Sequence, residues 1–222
     1  MNHWVELGRI VTPDGDELVL RQRGDAFEIR FNGWELMSSR TSASEEALAR
    51  LVCEELGRKP ARVLVGGLGM GYTLRAILDA ADANARIVVA ELAPLVVEWV
   101  RGPLASLAHH ALDDPRVHIR IGSVVGVLSE SSQSFDAILL DTDNGPEAIV
   151  HEPNALLYAR EGLELAKTAL QPGGAIAFWA ADPSPAFENR LTLAGATWRR
   201  LEIDARGGNS GPEHSIYLAR FA

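Results

Sequence analysis

A chain of 222 residues, 47% of them hydrophobic and with a formal net charge of −9, can build one good core and at most a small appended element. Its Lys and Arg residues are scattered among carboxylates, which excludes the phosphate-neutralising stripe of a nucleic-acid binder. Cys53 is the only cysteine, so an internal disulfide and a thiolate metal cluster are excluded. It falls at an apolar position of a helical pattern and is expected to be a buried, inert thiol. No apolar run approaches the roughly 20 residues that span a bilayer, and residues 1–6 hold no basic-then-apolar leader, so a soluble cytoplasmic protein is expected.

Up to about Phe31 the pattern is strand-like, with turn signals at Pro13-Asp14-Gly15-Asp16 and Arg23-Gly24-Asp25, and a small antiparallel β-unit is expected. Ser42 or Ser44 then caps a helix whose first turn carries Glu45 and Glu46 and whose apolar residues recur at helical spacing to Leu56; Gly57 and Pro60 close it. Beyond Pro60, short apolar runs at 63–65, 87–90, 117–121, 137–140 and 175–179 alternate with helical segments at 72–80, 95–100 and 155–170. Continuous Val/Ile/Leu runs are what strands covered on both faces require, so a parallel sheet wrapped by helices follows. The last two runs, 197–203 and 215–221, are separated by a glycine-rich stretch too short for a crossover helix and must pair antiparallel.

The first buried run leads into Gly66-Gly67-Leu68-Gly69-Met70-Gly71, just before a helix. Glycines at such a turn let the backbone approach a ligand, and the helix N-terminus adds unpaired N–H groups. Glu91 ends the second run 20 residues after Gly71, where a carboxylate accepts hydrogen bonds from both ribose hydroxyls. Together they predict a nucleoside site. No stretch is left for the substrate domain of a nicotinamide dehydrogenase, whereas adenosylmethionine enzymes need less chain and favour a Gly-Gly turn such as Gly173-Gly174 before the fifth strand.

The run from Val63 to Arg75, the run Val88-Val89-Ala90-Glu91-Leu92 and the run from Phe135 to Pro146 resemble class I adenosylmethionine-dependent transferases, and within them the spermidine synthase relatives. The resemblance implies an α/β fold of the Rossmann-like class I methyltransferase type. Its sheet would be mostly parallel and seven-stranded with an antiparallel last strand, in residues 42–222, behind an N-terminal β-hairpin unit at residues 1–41. It also implies S-adenosylmethionine or its decarboxylated form as cofactor, with no metal. Gly67, Gly69, Met70 and Gly71 would then line the cofactor turn. Glu91, with Leu92 beside it, would hold the ribose, Gly122 and Ser123 would sit against the adenine, and Asp141 and Asp143 would face the reacting centre. A small-molecule acceptor is implied, and the N-terminal unit suggests a homodimer.

Two departures from the family pattern shape the functional expectation. An aminopropyltransferase carries an aspartate where Met70 stands, gripping the amine of the decarboxylated cofactor, and another where Ser123 stands; a tyrosine and a glutamine near residues 34–44 are also missing. The first expectation is therefore a methyltransferase acting on a small molecule. The alternatives are aminopropyl transfer to a polyamine and a non-catalytic nucleoside-binding relative. Asp143 is equally a turn-capping residue, since Asp-Asn-Gly-Pro is ordinary turn chemistry. His109 and His110 are expected at a solvated helix end, His151-Glu152 at the surface or the acceptor pocket, and Trp179 in packing or as a pocket wall; His214 carries no assignment.

Overall fold

The computed structural model describes residues 3–11, 15–142, 145–146, 154–208 and 211–221. Strands β1 (Val5–Val11), β2 (Glu17–Arg23), β3 (Ala26–Phe31) and β4 (Trp34–Ser38) form an antiparallel sheet in chain order. Within the unit expected over residues 1–41 the strand-like pattern reached only to about Phe31, but Asn32 and Gly33 both adopt positive φ (47° and 83°). That makes a tight hairpin turn of the kind that matches strand twist, so the chain returns against β3 as a fourth strand. Helix α1 (Ala43–Leu56) follows, and Gly57 in the left-handed conformation (φ 66°) closes it by donating its N–H to Cys53 and Glu54 carbonyls.

The main sheet contains β5 (Arg62–Gly66), β6 (Arg86–Glu91), β7 (Val117–Ile121), β8 (Phe135–Leu140), β9 (Leu170–Ala180), β10 (Ala196–Asp204) and β11 (Glu213–Phe221). Its order is β10-β11-β9-β8-β5-β6-β7. β11 runs antiparallel to both neighbours while β5 to β9 pair in parallel, as expected. All six residues of central β8 are buried, because both sheet faces are covered. One face packs on α1, α2 (Tyr72–Ala80), α3 (Pro94–Arg101) and the N-terminal sheet; the other packs on α4 (Val124–Ser129), α5 (Ala155–Tyr158), α6 (Arg160–Ala169) and α7 (Pro185–Leu193). On the second face Tyr158, Phe178, Phe187 and Tyr217 form an edge-to-face aromatic cluster.

Three expectations are corrected. The helix expected over 155–170 is two helices, because Ala159 is extended (φ −82°, ψ 170°). Gly162 sits so close to the Leu156 carbonyl that a Cβ there would lie 2.0 Å from it, which is how α6 nests in that corner. Helices α4 and α7 were not foreseen: Ser123 and Ser184 start them by accepting the N–H groups of Gly126 and Phe187 (3.0 Å each). The Gly173-Gly174 turn lies within β9, where pairing jumps from Phe135–Leu170 to Ala137–Ala175.

Asp136 ties the α1–β5 connection to β8. Its Oδ2 accepts the N–H groups of Ala61 and Arg62 (2.9 and 2.8 Å), and its Oδ1 accepts from Arg58 Nη2 (2.8 Å). Burial alone would raise its carboxyl pKa, but Arg58 and the two N–H groups outweigh that and hold it below the usual range. The contribution is therefore present above the unfolded value of about 3.9 and disappears as pH falls through the lower folded value. D136A is expected to cost about 2 kcal/mol at pH 7, because two N–H groups lose their acceptor, and the difference from the parent in thermal melts should shrink near pH 2–3. A pH-independent difference would contradict this account. Among the described residues no helix is long and apolar enough to cross a membrane.

Candidate functional site

The C-terminal ends of β5, β6 and β8 open on a cavity of about 440 Å³, roofed by Ile10, Leu18, Ile29 and Met37 of the N-terminal sheet. This is the position at which open α/β sheets hold their ligands. Gly67, Gly69, Glu91, Leu92, Gly122, Ser123 and Asp141 all line it, so the structure brings together seven of the residues singled out from the sequence. Asp143 lies outside the described residues, as do His151 and Glu152.

Met70 and Gly71 do not reach the cavity wall. The turn alternates, with Gly67 and Gly69 on the cavity while Leu68 (4% exposed) and Met70 (0%) point into the core. Gly71 begins α2 at φ 88°, and a Cβ on it would meet Ala108 at 2.8 Å, so it is a packing glycine. Sequence adjacency to Gly67 and Gly69 does not carry across a turn whose successive residues face opposite sides.

Glu91 is fixed by the backbone, its Oε2 accepting Leu68 N–H (2.9 Å) and its Oε1 accepting Ala93 N–H (2.8 Å). Burial raises its pKa, and the N–H groups of Ala93, Leu68 and Leu92 counter that only in part. Each oxygen keeps a lone pair, so two further donors can be accepted from a bound diol. Ser123 caps α4 through its oxygen and retains an O–H donor at the cavity wall.

Asp141, just after β8, accepts Thr73 Oγ1–H at 2.6 Å. Burial pushes its carboxyl up to about 6 and the Thr73 bond pulls it partly back. Glu45 from α1 lines the same cavity at 7% exposure; burial first, and the Asp141 charge second, push it up to about 7. Sequence reasoning missed Glu45, Thr73 and Glu35: on α1, Glu45 looked like a first-turn acid satisfying the helix dipole, and only the approach of β8 makes it a site residue. Trp179 does wall the cavity; its ring stands edge-on to His214 (4.7 Å between centroids), and its buried Nε1 has no hydrogen-bond partner among the described residues. His109 and His110 are exposed, in line with the solvated reading. Cys53 is half-buried rather than fully buried, and burial, with Glu54 nearby, pushes its thiol up to about 11, so it is inert at neutral pH.

A doubly covered, mostly parallel sheet, a glycine turn and an acidic strand end define a Rossmann-like protein whose cavity lies at the C-terminal edge of the parallel strands. The spermine/spermidine synthase domain model matches residues 42–191, and the chain belongs to that family. It is 29% identical over 208 residues to the polyamine aminopropyltransferase of Mycobacterium tuberculosis, a match covering 92% of this chain and 37% of the relative. The corresponding protein of Saccharolobus islandicus is 28% identical over 148 residues, covering 67% of this chain and 48% of that one. The chain therefore spans between about a third and a half of the length of these relatives. Spermidine synthase from Thermotoga maritima superposes with a TM-score of 0.77 at 20% identity, covering 96% of this chain and 72% of that one. A spermidine synthase in complex with the transition-state analogue AdoDATO gives 0.78 at 20% identity, over 96% and 73%.

Proposed function

We propose that the chain transfers an aminopropyl group from decarboxylated S-adenosylmethionine to an amine acceptor of the polyamine class. The observation that carries this reading is the charge of the cavity: Asp16, Glu35, Glu45, Glu91 and Asp141 line it, against Arg206 and His214. Such a wall suits a cationic cofactor and a cationic acceptor. The methionine end of S-adenosylmethionine carries a carboxylate, which would enter a field already rich in carboxylates. The decarboxylated form carries only the ammonium.

In this reading Gly67 and Gly69 admit the nucleoside, Glu91 accepts the ribose hydroxyls, Gly122 and Ser123 flank the adenine, and Asp141 holds the cationic end of the chain beside the sulfonium. Catalysis is largely positional, since the sulfonium leaves as a neutral thioether once an amine lies in line with the adjacent carbon. Methyl transfer was first favoured because Met70 removes a carboxylate. Met70 is fully buried, however, and Glu45 and Asp141 put carboxylates on the cavity wall instead. The family and the named relatives also support aminopropyl over methyl transfer.

The test is turnover with putrescine and either cofactor form, followed by mass spectrometry. Methylthioadenosine and an aminopropylated amine are expected, with kcat/KM at least about tenfold higher for the decarboxylated form, the scale of one like-charge pair about 12 Å apart at an effective dielectric near 20. Release of S-adenosylhomocysteine from the carboxylated form alone would return the assignment to methyl transfer.

A further inference from the structure

Glu45 is joined to His214, at another part of the cavity wall, by a chain of hydrogen bonds that binding alone does not require. Its Oε2 lies 2.6 Å from Ser44 Oγ, and Ser44 Oγ lies 2.9 Å from Nδ1 of His214 on β11. Ser44 is fully buried, Glu45 lines the cavity, and His214 is half-buried. A serine hydroxyl has one hydrogen, so the chain has two complete settings. With Glu45 ionised, Ser44 donates to it and accepts from Nδ1–H. With Glu45 protonated, its O–H donates to Ser44, whose own hydrogen turns to a bare Nδ1. The two settings differ by hydrogens alone, with every heavy atom in place.

Resting on the amine-transfer reading above, we infer that Glu45 takes the proton of the acceptor ammonium and that Ser44 passes it to His214, at another part of the cavity wall. The acceptor N–H bond breaks, its electron pair stays on nitrogen and its proton goes to a Glu45 oxygen. That pair forms the N–C bond to the carbon next to sulfur, while the C–S pair leaves on sulfur as the neutral thioether. The product nitrogen remains a secondary ammonium. Glu45 then passes its proton to Ser44 Oγ as the serine hydrogen moves to the bare Nδ1 of the Nε2–H tautomer; the imidazolium releases its Nε2 proton to water, and the neutral ring regains the Nε2–H tautomer by exchange with water before the next turnover. One proton is released per turnover, and no redox partner is needed.

The surroundings fit both ends of the transfer. Asp141 just after β8, Glu46 on the same helix and Tyr72 of α2 stand near Glu45, and burial with the Asp141 charge brings its carboxyl close to neutral pH, where a general base works best. His214 is lowered by burial, against the raising influence of Asp182 and Asp204, so it starts neutral and able to accept. Glu45 is the catalytic residue of this chain; Ser44 and His214 act through it.

The test compares the parent with E45Q, S44A and H214N, using methylthioadenosine affinity and melting as controls for folding. E45Q is expected to lower kcat roughly 100-fold, within the range of general-base removal, with little change in KM for the decarboxylated cofactor. S44A and H214N should lower kcat about tenfold and move the acidic limb of the kcat profile, which a purely structural role would not do. In parallel, calorimetry of putrescine binding in two buffers of different ionisation enthalpy should show proton release by the parent, as the incoming cation ionises Glu45, and none by E45Q. Should no variant transfer an aminopropyl group, the amine-transfer reading fails, and the putrescine measurement still decides Glu45. Unchanged proton release in E45Q, no putrescine binding by the parent, or a kcat for E45Q within threefold of the parent would each overturn the inference.

Discussion

Replacing Gly67 with alanine is expected to lower the melting temperature by roughly 8–15 °C and to remove measurable methylthioadenosine binding, for reasons visible in two backbone segments. Gly67 has φ 84°, a conformation that costs an L-residue about 1–2 kcal/mol. A Cβ there would also stand 2.3 Å from the Asp141 carbonyl oxygen. That oxygen cannot move aside cheaply, since Asp141 N–H is bonded to Gly66 O (2.9 Å) and Gly67 N–H to Ala90 O (3.0 Å), which locks the turn between its neighbouring strands. Strain and clash together come to about 3–5 kcal/mol, and a chain of this size loses about 2–4 °C per kcal/mol. The displaced residues, Gly67 and Asp141, are themselves cavity walls. G69A is the control: its Cβ would meet the flexible end of Met37 at 2.6 Å, which can swing, so a smaller loss of about 1–2 kcal/mol is expected. A G67A protein that melts within 3 °C of the parent and still binds the nucleoside would show that the turn does not define the site.

The same turn shows what was legible in the sequence. Continuous apolar runs gave the parallel strands and the glycines gave the first βα turn, since both are local consequences of burial on two faces and of positive φ. The position of Glu91 on the cavity was legible because it depends only on ending β6 beside that turn. The inward side chain of Met70 was not legible, because the alternation of Gly67 and Gly69 with Leu68 and Met70 is a property of three-dimensional turn geometry that a spacing pattern does not encode. Helix α4 escaped because Val124-Val125-Gly126-Val127 reads as strand by composition, and the Ser123 cap overrides that preference. Glu45 escaped for a different reason. Its meaning comes from α1, α2 and β8 meeting at one point, where Thr73 Oγ1 bonds Asp141 and stands 3.5 Å from the Glu45 carbonyl.

That meeting point leads to the largest catalytic effect, expected in D141N. Asp141 is half-buried at the cavity wall, and desolvation there raises its folded pKa to about 6 from an unfolded value near 3.9. For a carboxyl shifted upward the native state holds its proton longer than the unfolded chain. The favourable contribution is therefore complete below about pH 4 and is lost as pH rises through the folded value. Above pH 7 the native protein keeps a half-buried, ionised Asp141 close to Glu45, at a cost on the order of 1–3 kcal/mol, taking 1.4 kcal/mol per pH unit and allowing for the coupling of the two carboxyls. Asparagine is isosteric and uncharged, and its amide oxygen can still accept the Thr73 O–H. D141N should therefore melt roughly 3–8 °C above the parent at pH 8, and the gain should vanish near pH 4. In the proposed reaction the same change removes the charge that holds the substrate cation beside the sulfonium. A loss of about 10³-fold in kcat/KM is expected, the upper range for a charge aimed at a reacting centre in a dry site. Stability and activity thus move in opposite directions at one residue, as they do where a fold tolerates a destabilised charge for function. Melting curves of D141N at pH 4, 6 and 8, alongside turnover with putrescine, check both halves. A D141N protein less stable than the parent at pH 8 would mean that the carboxylate is satisfied where it sits, and that the cavity is not waiting for a cation.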